Sequence, residues 1–316
     1  MKAAVVHAFD APPCYQDFDL PEPEGPDEVL VQVLAAGLHP RVRSGASGTH
    51  YADVPVLPMI PGVDAVGRLP DGTLVYCVVH DTPHGTMAER VIADRRRCVP
   101  LPEGTDEAVI AAAMNPAMSS WLALRLRAPL RPGQSVFVLG ATGNAGQMAI
   151  QIAKRLGAGT RRRRRTRALS TRKVGGRRAG LAGRRREVGQ RRRGQRGAEC
   201  DIVLDYLWGQ PALDSMIALL TARQDRSRPL DWVQIGSVAG PNLALPSAAL
   251  RSANLRLQGS GQGSLSVHQI VGELPRLVEE LVAGRITVNP LRVPLAEVET
   301  AWHAALPSDR RVVFVP

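Results

Sequence analysis

The chain has 316 residues, 44% of them hydrophobic and 22% charged, with a formal net charge of +11. That length suffices for two domains with proper cores, and no apolar run approaches the roughly 20 residues needed to span a bilayer. The start, Met-Lys-Ala-Ala-Val-Val-His, lacks a signal peptide's long apolar stretch and cleavage site, and Cys14, Cys77, Cys98 and Cys200 form no C-x-x-C pair and no disulfide framework, so a reducing cytoplasm is the expected compartment. The charge has one local source. Residues 160–198 hold 17 Lys/Arg against the single acid Glu187, a net of +16, which out of the total of +11 leaves the rest of the chain at −5. The body of the protein is therefore mildly acidic.

In chain order, residues 1–8 read as a strand, followed by a loop with Pro12, Pro13, Pro21, Pro23 and Pro26. Residues 28–36 alternate early and read as a second strand. Residues 37–45 turn away into a loop that runs past His50 and Tyr51. Residues 58–67 form a turn leading into a strand, and 73–79 and 85–93 read as two more. Many short strands with Pro and Gly punctuation predict a compact, partly closed, barrel-like β domain. Residues 106–114 begin an alanine-rich helix with an acidic first turn, interrupted by Pro116 and continuing from Ser119 to about Arg127. Pro129 and Pro132-Gly133 mark the turn that follows.

Val136 to Leu139 is a short apolar run suited to a strand buried on both faces. Gly140, Gly143 and Gly146 follow at intervals of three, and then Met148, Ile152 and Leu156 recur with the period of a helix that Gly157 stops. Strand, glycine turn and helix make a cradle for a pyrophosphate. Glycine lets the backbone approach the phosphates, and the free N–H groups and positive dipole of the helix N-terminus attract them. Ala141 stands where the G-x-G-x-x-G form has its first glycine, so the pattern is a variant, strengthened by the strand before it and the helix after it. The other reading is an ordinary βα turn that needs glycine for tight packing. On the cradle reading, Gly140, Ala141, Thr142, Gly143, Asn144, Ala145 and Gly146 contact the cofactor.

Residues 200–207 then give a buried-strand signal, 211–222 a helix, 232–237 a strand, 255–259 another strand, and 267–283 a helix interrupted by Pro275 with Gly284 as its stop. Residues 287–294 are extended, 295–305 a short helix containing Trp302, and 311–315 a closing strand. Strands alternating with helices from 134 to about 260 predict a doubly wound parallel sheet.

These residues resemble a known group. The N-terminal β half, the Gly-Ala-Thr-Gly-Asn-Ala-Gly unit, and Pro-Leu-Ala-Glu-Val-Glu-Thr-Ala-Trp followed by Arg-Arg-Val-Val-Phe-Val are similar to a medium-chain dehydrogenase/reductase of the zinc-independent quinone oxidoreductase branch. Gly37-Leu-His-Pro resembles that branch's Gly-Leu-Asn-Pro, with His39 in place of the asparagine, and Asn115-Pro-Ala-Met-Ser-Ser-Trp121 resembles the segment leading into its cofactor domain. The resemblance covers almost the whole chain except 160–198. It implies a GroES-like catalytic domain from residues 1–115 and 262–316, a Rossmann domain at 116–261, and an active site in the cleft between. It also implies NADPH, with NADH not excluded, reduction of a quinone or an activated C=C bond, and a homodimer.

A catalytic zinc needs three thiolate, imidazole or carboxylate ligands and one open position. Where zinc-dependent members carry a cysteine this chain has Gly37-Leu38-His39, and where they carry Gly-His-Glu it has Gly62-Val63-Asp64. His80 and Asp81 with His84 imitate a site, but Pro83 and Gly85 favour a surface loop, so no metal is expected. Hydride transfer to a conjugated carbonyl requires orientation and donors near the developing charge rather than a metal.

His39, on the expected nicotinamide side of the cleft, either orients the nicotinamide or donates to the substrate oxygen; the alternative is a loop histidine facing water. Tyr51 donates a proton or lines the pocket, and Arg41 and Arg43 attract an acidic substrate or are solvated. Ser119 matches the family's cofactor-touching Thr or Ser. Asp205-Tyr206 and Gly236-Ser237 end successive strands, where ligands of open α/β sheets sit. Arg310 or Arg311 reaches a cofactor phosphate or is a solvated loop arginine.

Residues 160–198 stand where the second and third strands of the cofactor domain belong, yet Leu169, Val174, Leu181 and Val188 are their only larger apolar residues, and the like charges repel. Three readings compete: a compensated reading-frame error in the gene, a basic arm that binds nucleic acid or another polyanion, and an unusual surface over the cofactor. The residue that chooses between NADH and NADPH falls inside this stretch. The leading expectation is a cytoplasmic NADPH-dependent quinone or enone reductase without membrane or nucleic-acid partners. The alternatives are a nucleic-acid-binding protein using the Arg-rich segment, or an inert paralogue.

Overall fold

The computed structural model describes residues 1–51, 56–79, 83–159, 198–304 and 310–316. The Arg-rich stretch at 160–197, with its three readings and the cofactor-choosing residue, lies outside the described residues, as do His80 and Asp81. In chain order the strands and helices are β1 (Lys2–Val5), β2 (Cys14–Asp17), β3 (Glu28–Gly37), α1 (Pro40–Ala46), β4 (Asp64–Arg68), β5 (Leu74–Val78), β6 (Arg90–Asp94), β7 (Cys98–Pro100) and α2 (Glu107–Leu122). Then come β8 (Val136–Leu139), α3 (Asn144–Arg155), β9 (Ile202–Asp205), α4 (Gly209–Ala222), β10 (Leu230–Gln234), α5 (Ser247–Arg251) and β11 (Leu255–Gly259). The last are α6 (Val267–Val282), β12 (Asn289–Pro294), α7 (Val298–Ala301) and β13 (Arg310–Val315). They fall into two compact units, Met1–Met118 with Ser266–Pro316, and Ser119–Leu265.

The first unit is built on a seven-stranded mixed sheet ordered β12-β13-β3-β4-β5-β7, with β6 also paired to β3. β3 is its spine. Its burial alternates because successive side chains point to opposite faces. On one side it pairs with β4, with a register shift between Val33 and Ala35. On the other it pairs with β6 through residues 28–32 and with β13 at Ala36 and Gly37. Among the described residues only β12 and β13 run parallel; the sheet's other pairs are antiparallel. The core includes Val31, Ile60, Val75, Met87, Leu295, Trp302 and Phe314.

The second unit is a parallel sheet ordered β11-β10-β9-β8 among the described residues. β9 is buried at all four positions. β8 was expected to be buried on both faces, but Val136, Phe137 and Val138 are only half-buried and Leu139 alone is buried. Among the described residues β8 is flanked on one side only, by β9. The core gathers Val203, Met216, Leu219 and Trp232.

Several local expectations differ from the structure. β2 lies in the stretch expected as loop, paired antiparallel with β1 from Lys2↔Asp17 to Val5↔Cys14. α1 lies in the second expected loop, where Pro40 sets the first helical position and Val42, Gly45 and Ala46 are buried. Neither proline breaks its helix. Pro116 sits inside α2, which runs on to Leu122 and ends in a π-helical turn at Ala123–Arg127, and Pro275 sits inside α6. A proline removes one N–H and strains one turn. The fully buried Ala112, Ala113, Met114 and Ala117 around Pro116, and the buried Leu274, Leu277 and Val278 around Pro275, hold the two helices in place.

Candidate functional site

The glycine turn closes β8 onto α3. Gly140 has φ +87°, a conformation in which a side chain is strained. The Gly143 N–H donates to Gly140 O at 3.1 Å, and Gly143 caps α3. The three glycines have different reasons to be glycine. A Cβ on Gly146 would lie 2.2 Å from Gly140 O and 2.7 Å from Ala141 Cα, so glycine is what lets α3 sit against the turn. A Cβ on Gly143 would meet nothing nearer than Gly140 O at 3.6 Å, an ordinary contact, and its φ of −76° suits any residue. Among the described residues the fold does not require glycine at 143. Gln147 Nε2 donates to Thr142 O at 3.1 Å and fixes the rim of the turn.

Beside this turn stand the ends of β9 and β10. Asp205 is turned into the protein. Its fully buried carboxylate accepts the N–H groups of Leu207 (2.9 Å) and Trp208 (3.0 Å) on Oδ1 and the Trp232 indole N–H (3.0 Å) on Oδ2. Burial raises its pKa, and the three donors pull the other way. The carboxylate instead pins a backbone in which Trp208, at φ 52°, is the one positive-φ non-glycine residue among those described. Tyr206 packs at the turn, where its Cβ would be 3.2 Å from a Cβ on Gly140. Its hydroxyl lies 3.1 Å from Ser119 Oγ. Burial pushes the phenol up to about 12, opposed by the hydroxyls of Ser119 and Ser120. Gly236 donates its N–H to Asp205 O, and a Cβ there would be 3.0 Å from Tyr206 O. Ser237 is exposed on the following loop. The structure therefore brings Ser119, Tyr206 and Gly236 to the turn's neighbourhood and turns Asp205 inward.

The first unit holds a second cluster. β3 ends at Gly37, His39 is extended ahead of Pro40, and its side chain leaves the helix start uncapped to point elsewhere. It is 2% exposed, so it does not face water. His39 Nε2 lies 2.8 Å from Asp64 Oδ1, and the Tyr76 hydroxyl donates to Asp64 Oδ2 at 2.9 Å. Thr86 Oγ1 donates to the Asp64 carbonyl at 2.9 Å. An ionised carboxylate only accepts, so the network assigns the hydrogen to Nε2. His39 Nδ1 is then left without a hydrogen-bond partner, as is the Nε of Arg311. Arg311 Nη1 donates to Leu38 O at 3.2 Å. Burial lowers the Arg311 guanidinium to about 10, with Asp64 opposing and Arg43 adding to the shift. Burial, then Asp64, drive the Tyr76 phenol well above its ordinary value.

Tyr51 is 72% exposed and its ring lies 4.4 Å from that of His50. Arg310 is exposed at the start of β13 in register with Asn289, whereas Arg311 is buried. Among the described residues no three His, Cys, Asp or Glu side chains gather as a metal site would require. Sequence reasoning missed Tyr76, which sits in a plain apolar strand with nothing to single it out. It also missed the Asp64–His39 contact, which joins residues 25 positions apart.

No protein-family model matches the chain. The chain is 30% identical to a probable NADPH-dependent quinone reductase, tdiC, of Emericella nidulans, over the full length of both. It is 33% identical to the trans-enoyl reductase pgmF of Aspergillus terreus over 42% of each. Among solved structures, the quinone oxidoreductase of Thermus thermophilus, also solved as its complex with NADPH, superposes with a TM-score of 0.75 at 28% identity, covering all of both chains.

Proposed function

The chain belongs to the medium-chain dehydrogenase/reductase superfamily, among its quinone reductases, and on that premise we propose that it reduces a quinone or an activated C=C bond of an enone with NADPH and without a metal. The observation that carries the reading is Gly143: among the described residues the fold does not demand glycine there, and a glycine kept at a helix N-terminus suits a pyrophosphate approaching the backbone. Gly140, Ala141, Thr142, Gly143, Asn144, Ala145 and Gly146 form the proposed phosphate cradle. Ser119, Gly236, Ser237 and Arg310 are further proposed contacts to the nucleotide. Asp205 is left out of that set because both its carboxylate oxygens already serve the protein's own N–H groups.

When bound, NADPH supplies the hydride. The chain's own part is to hold and orient. His39 and Tyr51 are the proposed contacts to the acceptor, and Nδ1 is the His39 atom available for one. Two facts support the metal-free reading: His39 and Asp64 are hydrogen-bonded to each other, and no cysteine stands near position 37. The choice of NADPH over NADH rests on the relatives, and the cytoplasmic homodimer on the cysteine usage and the family. Stopped-flow oxidation of NADPH with small quinones tests the proposal. Absence of nicotinamide binding at micromolar protein would overturn it.

A further inference from the structure

Two of the chain's four cysteines face each other. β5 and β7 are antiparallel, with Val75↔Pro100, Tyr76↔Val99 and Cys77↔Cys98 as directly opposed pairs. The Leu101 N–H donates to Leu74 O at 2.8 Å, which makes 74 and 101 a hydrogen-bonded pair. Hydrogen-bonded and non-hydrogen-bonded pairs alternate along an antiparallel ladder. Counting from 74 and 101, the pair at 75 and 100 is non-hydrogen-bonded, as its proline requires, 76 and 99 is hydrogen-bonded, and Cys77 with Cys98 is non-hydrogen-bonded. In that class the opposed Cα atoms stand about 4.5 Å apart and their side chains are closest. A disulfide spans Cα separations of roughly 4.4 to 6.8 Å.

Both side chains lie on one face of the sheet. Cys77 is fully buried in the first unit's core, and Cys98 is half-buried and packed against the same core. Both are free thiols, and Cys98 Sγ donates to Asp94 O at 3.4 Å. We propose that Cys77 and Cys98 are a cross-strand redox pair, which hydrogen peroxide converts to a disulfide joining β5 to β7.

Cys98, the more accessible sulfur, reacts first. Its thiolate attacks one peroxide oxygen, an S–O bond forms as the O–O bond breaks, and the departing hydroxide takes up the proton that the Cys98 thiol gave up and leaves as water. The Cys77 sulfur then attacks the sulfenic sulfur, the S–S bond forms as the S–O bond breaks, and a second water leaves with the Cys77 proton. The two thiols lose two electrons and the peroxide gains them. Burial, with Asp94 adding and Arg95 opposing, lifts the Cys98 thiol to about 11. Burial lifts Cys77 too, with Cys98 and Asp64 adding to it. The thiolate is the nucleophile, so the reaction is slow at neutral pH and accelerates as pH rises.

The test treats the folded full chain with hydrogen peroxide, blocks remaining thiols, and maps tryptic peptides without reduction. The expected product is peptide 69–90 joined to peptide 98–125, two hydrogens lighter than their sum and separated by a reductant. Cys77→Ala should leave Cys98 as a sulfenic acid trapped by dimedone, and Cys98→Ser should leave the residue 77 thiol unmodified. The pair is refuted if peroxide yields only higher oxides of Cys98 beside a free Cys77, or disulfides that involve Cys14 or Cys200 instead. Because this readout needs neither NADPH nor turnover, it stands or falls separately from the proposed reductase activity.

Discussion

The glycine turn of the second unit and the His39 cluster of the first are built from opposite materials. At the turn the backbone is the instrument: glycines, a helix N-terminus and a carboxylate, Asp205, that uses its acceptors to hold main chain in place. In the cluster the side chains meet one another, His39, Asp64 and Tyr76 from β3's end, β4 and β5. The first kind of site is written in consecutive residues. The second exists only once distant strands are in register.

Asp64→Ala breaks that comparison most severely. It strands the His39 Nε2 and the Tyr76 hydroxyl in a buried space, and a lost buried partner of this kind costs about 3 to 5 kcal/mol. Urea unfolding measures it, with Tyr76→Phe as the milder arm at about 1 kcal/mol. Next comes Gly146→Ala, whose Cβ would lie 2.2 Å from Gly140 O. Overpacking there is expected to cost about 2 to 3 kcal/mol and to abolish NADPH binding together with stability. Gly143→Ala sharpens the contrast. Its expected stability change is within about 0.5 kcal/mol, while NADPH affinity in a fluorescence titration falls about tenfold, or ~1.4 kcal/mol. Equal losses of stability at 143 and 146 would mean that the turn is glycine-rich for packing alone.

The smallest expected effect concerns Asp94, a first-unit carboxylate that caps backbone as Asp205 does in the second. It accepts the Arg96 N–H and pairs with the Arg96 guanidinium, whose hydrogen bonds hold its pKa at about 2. A folded-state pKa below the unfolded value of about 3.9 stabilises above the unfolded value and loses that contribution as pH falls through about 2. Asn caps about as well as Asp, so Asp94→Asn loses chiefly the ion pair with the exposed Arg96, about 0.5 kcal/mol at neutral pH. The gap in Tm between variant and parent should close as pH is lowered toward 2.

The sequence made the glycine turn legible because its constraint is local: strand period, glycine spacing and helix period stand side by side. The strands from β3 to β5 and the parallel run from β8 to β11 were legible for the same reason. α1 was not, because Pro40, Ser44 and Gly45 carry turn chemistry and only the burial of Val42, Gly45 and Ala46 settles the matter. β2 is short and largely polar, and it exists because β1 offers it a partner. Pro116 and Pro275 read as interruptions, since a sequence displays the missing N–H but not the packing that compensates. At the site, His39 was legible as a residue of interest. Its partners were not, for no periodicity links positions 39, 64 and 76.

The pairing of β13 with β3 has a consequence for how the chain is made. The hydrogen bond from Arg311 to Leu38 spans 273 residues of sequence, so during synthesis β3 leaves the ribosome long before its neighbour exists. The whole of the second unit, from Ser119 to Leu265, is translated in between. The second unit can thus fold as a contiguous segment while the first unit waits with the Ala36–Gly37 end of β3 lacking its β13 partner. An unpaired strand edge invites pairing with other chains. β13, when it emerges, supplies the partner that closes this edge of β3.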